Sequence, residues 1–138
     1  MAEFGDGPRD TDPYWSWWIN DEQMRWHEAA LLDDLGEYED AIDSWQEYLA
    51  TRSDNLYLSL SLANLARAQV HASAWTYAES TVSDLVDCSD DIHSGLAIAS
   101  ISQLANDVRR SLAAPRSLRE ATRLLASFAK RLDVNLVR

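Results

Sequence analysis

Tryptophan is the residue type in this chain best suited to recognition chemistry, since its large aromatic face packs against flat ligands and peptide side chains. Six tryptophans occur in 138 residues, and Trp15, Trp17, Trp18 and Trp26 fall within twelve positions. Such a cluster either covers the open end of a stacked helical fold or forms a docking patch, because tryptophan is enriched at binding hot spots. The sequence favours the covering role.

Catalysis beside this cluster would need only a shaped aromatic pocket and one or two carboxylates. Asp21, Glu22, His27 and Glu28 lie close to it in sequence, but acidic residues on a surface helix are usually solvated. The three histidines are scattered and have no zinc-binding spacing. Nucleophile elbows, phosphate-binding glycine loops and dinucleotide fingerprints are also missing from the sequence. We therefore predict no catalytic residue, no metal site and no cofactor.

Length and composition indicate a single all-α domain. The 138 residues can bury one core, and only four glycines and three prolines interrupt a chain rich in alanine and leucine. The single cysteine, Cys88, favours a reducing, cytoplasmic compartment. The sequence has neither a secretory signal nor a run of about 18 apolar residues. We predict a disordered leader at 1–11 and one helical domain at 12–138.

Apolar residues recur at helical spacing through most of this domain, whereas residues 56–62 alternate with period two and fit a helix only because the alanines after them continue it without a turn signal. After a short aromatic segment at 14–19, the pattern predicts six helices in three hairpins. Gly36 breaks the first hairpin, and Ser73 is the predicted N-cap of the fourth helix. The third helix is apolar on several sides, which predicts a central position. The first, second, fifth and sixth helices are expected to end near Leu35, Ala50, Leu112 and Leu132.

The first hairpin resembles a tetratricopeptide repeat. Gly36, Tyr38, Ala41 and Trp45 stand where that repeat has its turn glycine, aromatic, alanine and large aromatic. The repeat-ending proline is absent, and the second hairpin lacks a turn glycine at 70–73. The resemblance implies a tetratricopeptide-like α-solenoid of three stacked antiparallel hairpins with an aromatic N-terminal extension. In such folds the first helix of each hairpin lines a concave groove.

A narrower resemblance covers residues 15–132. The chain is similar to the C-terminal helical-repeat half of actinobacterial helix-turn-helix regulators, and nothing in it resembles their DNA-binding domain. In those proteins this half senses a ligand, binds a partner or mediates dimerisation. The resemblance is carried by residues 17–22, 35–36, 66–68, 78, 85 and 109–113.

The repeat resemblance places candidate binding residues on the first helix of each hairpin. Aromatic rings, amides and one arginine suit a peptide or a flat small molecule, and the Arg67 fork could bind a carboxylate. In the alternative reading, Trp18 and Trp26 only seal the stack and Arg67 pairs with Asp33 or Asp34. The predicted set is Trp18, Trp26, Asp33, Asp34, Tyr57, Asn64, Arg67, Gln103 and Asn106.

Charge is distributed unevenly around the net value of −11. Residues 1–108 carry 4 basic and 21 acidic side chains, whereas residues 109–138 carry 8 basic and 2 acidic ones. The acidic part disfavours direct nucleic-acid binding, since phosphate contacts supply most of that affinity. The basic end either is simply solvated or binds an acidic partner, including a second copy in a homodimer. Its candidate residues are Arg116, Arg119, Arg123 and Lys130.

Three functions are compatible with these features. The leading hypothesis is a non-enzymatic regulatory module that holds a peptide, a partner protein or a small signal ligand in its groove. The first alternative is a small enzyme or ligand-binding protein of specialised metabolism with a Trp-rich pocket. The second is an acidic nucleic-acid mimic that inhibits a basic partner. We expect no membrane partner.

Overall fold

The computed structural model describes residues 21–55, 57–92 and 94–137. These residues form six α-helices and one short 3-10 helix, Ser89–Asp91, without a strand, which confirms the all-α prediction. The aromatic segment at 14–19 and the leader lie outside the described residues. The helices are α1 (Asp21–Asp34), α2 (Tyr38–Thr51), α3 (Leu58–His71), α4 (Trp75–Asp87), α5 (Gly95–Arg110) and α6 (Arg116–Val137).

The turn between α3 and α4 corrects one prediction. Ser73 is not the N-cap of α4, because Ala74 occupies that position and makes no side-chain cap. Ser73 instead has a φ of 58°, in the left-handed region that favours glycine. The local sequence predicts the wrong role for this serine, because its side chain suits an N-cap and nothing around it indicates a positive φ.

Gly36 and Ser73 occupy equivalent positions in two turns of the same geometry. Gly36 has a φ of 77°, and its N–H donates to the Asp33 carbonyl while the next N–H donates to the Leu32 carbonyl. Around Ser73 the same pair of bonds runs to the carbonyls of Val70 and Gln69. Both turns are Schellman motifs, which satisfy carbonyls that a helix end would otherwise leave unpaired.

The first two helix pairs therefore repeat at a spacing of 37 residues, the distance from Gly36 to Ser73. The helices that follow the turns begin at Tyr38 and Trp75, which are separated by the same interval. Buried residues repeat at this interval as well. The equivalent pairs are Ala29 and Ala66, Ala41 and Ala78, Trp45 and Val82, and Tyr48 and Leu85.

Helix α3 lies at the centre of the packing, as its apolar pattern predicts. It packs against α2, α4 and α5, and ten of its fourteen residues are buried. In addition α1 packs on α2, α5 on α6, and α4 on α6. This arrangement is consistent with a helical repeat. None of the described helices is both long and apolar enough to span a membrane.

The turn between α5 and α6 is built differently from the α1–α2 and α3–α4 turns. It contains no residue with positive φ, and the Arg119 side chain binds its carbonyls instead. Arg119 Nε donates to the Ala114 carbonyl at 3.1 Å, Nη1 donates to the Arg109 carbonyl at 3.2 Å, and Nη2 donates to the Ser111 carbonyl. The Arg119 guanidinium thus binds carbonyl groups near the helix end, as the backbone N–H groups of the Schellman motifs do in the α1–α2 and α3–α4 turns.

Candidate binding face and basic groove

Arg67 on α3 lies at the centre of a polar cluster that joins three helices. Its Nε is 3.3 Å from Oδ2 of Asp107 on α5, and Nε2 of His71 lies 3.2 Å from the same oxygen. Asp33 on α1 is also close enough to interact electrostatically with Arg67. The cluster therefore joins the first helix of each successive pair: α1, α3 and α5.

Asp107 anchors Arg67 through one side of its guanidinium only. The Asp107 side chain is 16% exposed, whereas the side chains of Arg67 and His71 are 31% and 37% exposed. Within the described residues, only Nε of Arg67 makes a hydrogen bond, which leaves Nη1 and Nη2 without a hydrogen-bonding partner there. Nη1 and Nη2 can donate together to the two oxygens of a carboxylate, which is one of the bidentate geometries available to arginine.

His71 is held in place from a second side. The ring of Tyr38 on α2 stacks on its imidazole, with centroids 4.6 Å apart and planes 10° from parallel. His71, Tyr38 and Asp107 were not among the predicted site residues. The spacing of Arg67 and His71, four positions apart on one helix, is a signal that could have indicated a shared surface. The contribution of Asp107, 40 residues beyond Arg67, has no local signal.

The Asp33 carboxyl group on this face lies in surroundings that disfavour its ionised form. Burial raises the pKa of its carboxyl group, and this effect outweighs Arg67, the Trp45 indole and His71, all of which favour the ionised form. The Trp45 ring is fully buried, and its Nε1–H makes no hydrogen bond of normal geometry within the described residues. The indole N–H therefore stabilises the neighbouring carboxylate only weakly.

Trp26 on α1 serves mainly as packing between the two core clusters of the fold. Its ring meets Trp45 edge-on, with centroids 5.5 Å apart, and lies 6.0 Å from the ring of the exposed Tyr57. Its Nε1 donates to the Ser61 hydroxyl on α3 at 3.2 Å. Trp26 therefore makes mainly internal contacts. The ring of Tyr57 beside it is exposed and accessible.

The other predicted face residues have different surroundings. Asn64 on α3 accepts a 2.7 Å hydrogen bond from the Ser100 hydroxyl on α5, so it helps to join these helices. Asp34 and Gln103 are exposed. Asn106 accepts a hydrogen bond from Arg109 and lines a separate groove rather than the Arg67 cluster. Trp18 lies outside the described residues.

That separate groove, called the basic groove below, is an open cleft between α5 and α6 with a volume of about 690 Å³. Its apolar lining includes Ile98, Ala105 and Ala126, and four of its lining side chains are basic against one that is acidic. The basic residues are Arg109, Arg119, Arg123 and Lys130, and the acidic one is Asp133.

The four predicted basic residues have different surroundings. Arg119 uses its guanidinium to bind the carbonyls of the α5–α6 turn. Arg116 is 91% exposed and pairs with Glu120 at 3.1 Å, outside the groove lining. Arg123 and Lys130 line the groove and make no ion pair within the described residues. They are therefore the two predicted cations that remain available for an acidic partner.

Comparisons with protein-family models, with curated proteins and with solved structures find no match to this chain. The resemblance to actinobacterial regulators thus stays an expectation from sequence. Within the described residues, no group of three or more His, Cys, Asp or Glu side chains is arranged to hold a metal ion.

Proposed function

We propose that this protein is a non-enzymatic binding module and that its α1–α3–α5 face binds a peptide through Arg67. The observation that carries the proposal is that the Arg67 guanidinium is only partly hydrogen-bonded within the described residues. Asp107 accepts a hydrogen bond from Nε, while Nη1 and Nη2 have no hydrogen-bonding partner among the described residues. A positioned fork of this kind is well suited to a carboxylate on a partner.

The charge around Arg67 defines the class of peptide. Residues 21–108 carry 17 acidic and 3 basic side chains, so the face lies in a strongly negative field. Asp33 and Asp107 add two carboxylates next to the guanidinium itself. A peptide of net positive charge that brings a single carboxylate, at its C-terminus or on a side chain, would satisfy both features.

The surroundings of the fork favour a peptide over a fully enclosed small ligand. Arg67 and His71 are each about one-third exposed, and Tyr57 offers an accessible aromatic ring beside Trp26, just before α3. Exposed aromatic and arginine side chains on a pre-formed surface are typical of peptide and protein recognition. Regulation of a partner by this contact follows from the resemblance and belongs to the same proposal.

A peptide-display selection followed by affinity measurements tests this proposal. The selected peptides should be basic with one carboxylate, and Arg67→Lys should weaken their binding at least tenfold, since lysine keeps the charge but loses the fork. Arg110→Lys is the matched control, because Arg110 is exposed and lies outside the cluster. Circular dichroism would verify that both variants fold.

Two results would contradict the proposal. The first is a selection that yields no peptide above background. The second is a selected peptide that binds Arg67→Lys and the unmodified protein with equal affinity, which would remove the guanidinium fork from recognition.

A further inference from the structure

The basic groove lies at one end of the helix packing. Helix α5 packs against α3 and helix α6 packs against α4, so the second helix pair is covered by the third. Within the described residues, no further helix packs on α5 and α6 in the same way. The groove is therefore the position at which a repeat fold would receive its next helix.

The chemistry of this groove selects an acidic helix. Arg123 and Lys130 are seven residues apart on α6, about 10.5 Å along the helix axis. They lie on the same side of α6, since seven residues correspond to nearly two full turns. Beside them, Ile98, Ala105 and Ala126 provide an apolar lining. An occupant should therefore bring carboxylates at a similar spacing together with some apolar surface.

Helix α2 of the same protein presents such a surface. Asp40, Asp43 and Glu47 are exposed and fall within about 60° of one another around the helix, taking 100° per residue. Asp40 and Glu47 are seven residues apart, which matches the spacing of Arg123 and Lys130. Asp40 and Asp43 have no ion pair within the described residues, whereas Glu47 lies 3.7 Å from Arg25.

The two surfaces belong to opposite ends of the helix order and carry opposite charge. Residues 21–55, which form the first helix pair, contain 11 acidic and 2 basic side chains. The basic groove belongs to the last pair. An exposed acidic stripe and an uncovered basic groove on different parts of one chain make a heterologous contact between copies geometrically possible.

We propose that copies of this protein associate head to tail, with the acidic stripe of α2 from one copy in the basic groove of the next. The contact uses charges of α2 and of the basic groove rather than Arg67, so it does not rest on the peptide-binding proposal. It rests on few exposed charges and is therefore weak and sensitive to salt, since such pairs are screened within about 8 Å at physiological ionic strength.

Sedimentation velocity over a range of protein concentrations tests the contact. At low salt the average mass should rise with concentration above the 15.6 kDa of one chain, and at about 0.5 M salt it should return to that value. Arg123→Glu with Lys130→Glu should weaken association at least tenfold. The matched control is Arg110→Glu with Arg131→Glu, which changes the net charge equally at exposed sites outside the groove.

A charge exchange identifies the occupant. Asp40→Lys with Asp43→Lys should also weaken association at least tenfold, because the stripe would then meet the basic groove with like charge. An equimolar mixture of the groove variant and the stripe variant should associate again, since each supplies a surface of opposite charge to the other. Circular dichroism would confirm that each variant keeps its helical content.

Three outcomes would overturn the proposal. A protein that stays monomeric at every concentration in low salt has no such contact, and the groove would then serve an acidic helix of another protein. Equal weakening by the control variant would attribute association to net charge. Association that survives the stripe variant would exclude α2 as the occupant.

Discussion

Arg119 is the residue for which a structural role can be distinguished most clearly from a role in binding a partner. The sequence places it among the residues available to an acidic partner, but all three donor nitrogens of its guanidinium bind carbonyls of the α5–α6 turn. Replacing it with methionine keeps most of the aliphatic stem and removes every donor. The carbonyls of Arg109, Ser111 and Ala114 would then lose these bonds.

The expected loss follows from the surroundings of the three bonds. The bonds to Ala114 and Ser111 are partly buried, whereas the bond to Arg109 is exposed and contributes little. At about 1 kcal/mol for each of the two partly buried bonds, Arg119→Met should lower the free energy of unfolding by about 2 kcal/mol. For a domain of this size, that loss corresponds to a fall in Tm of about 6–10 °C.

Urea unfolding followed by circular dichroism measures this loss, with Arg123→Met as the matched control. Arg123 lies one turn further along α6 and lines the same groove, but it makes no ion pair among the described residues. Its replacement should change the free energy of unfolding by less than about 0.5 kcal/mol. Equal losses in the two variants, or a loss below about 0.5 kcal/mol for Arg119→Met, would refute the capping role.

Four further substitutions have expected outcomes. Both turns need a positive φ, so Gly36→Ser should lower the free energy of unfolding by about 1 kcal/mol and Ser73→Gly should raise it by the same amount in urea titrations. Changes of the same sign in the two variants would contradict the equivalence of the two turns. Asp33→Asn should raise Tm at about pH 7 but not at about pH 3.5. Burial raises the pKa of Asp33, so the folded protein loses stability as the pH rises from the ordinary aspartate pKa of about 3.9 through the raised pKa of the folded state. An equal gain in Tm at both pH values would indicate that the substitution acts through packing rather than through ionisation. Trp45→Ala should cost about 3–5 kcal/mol by chemical denaturation, because this ring is fully buried, and a cost below about 1 kcal/mol would conflict with that position.

The helices could be predicted from the sequence because their apolar residues recur at a helical period over ten or more positions. The Gly36 turn was predictable for a similar reason, since glycine is the usual residue where φ must be positive. Ser73 takes the same backbone conformation with a side chain that signals an N-cap. Its role is set by the packing of α3 and α4 and is invisible locally.

The candidate site was only partly predictable. An arginine near carboxylates indicates an ion pair, but the sequence could not select Asp107 over Asp33 or Asp34, because contacts between distant segments depend on the packing of whole helices. His71 and Tyr38 joined the site for the same reason. The basic residues of α6 could be identified as a charged stripe, whereas the assignment of Arg119 to the α5–α6 turn required the geometry of its carbonyls.

Amide chemical-shift mapping of the ¹⁵N-labelled protein, titrated with a peptide obtained from the display selection, tests the proposed recognition most directly. We expect the largest shifts along α1, α3 and α5 around Arg67 and His71, and we expect them to disappear in Arg67→Lys but not in Arg110→Lys. Shifts confined to the basic groove between α5 and α6, or a pattern that Arg67→Lys leaves unchanged, would contradict recognition by the α1–α3–α5 face.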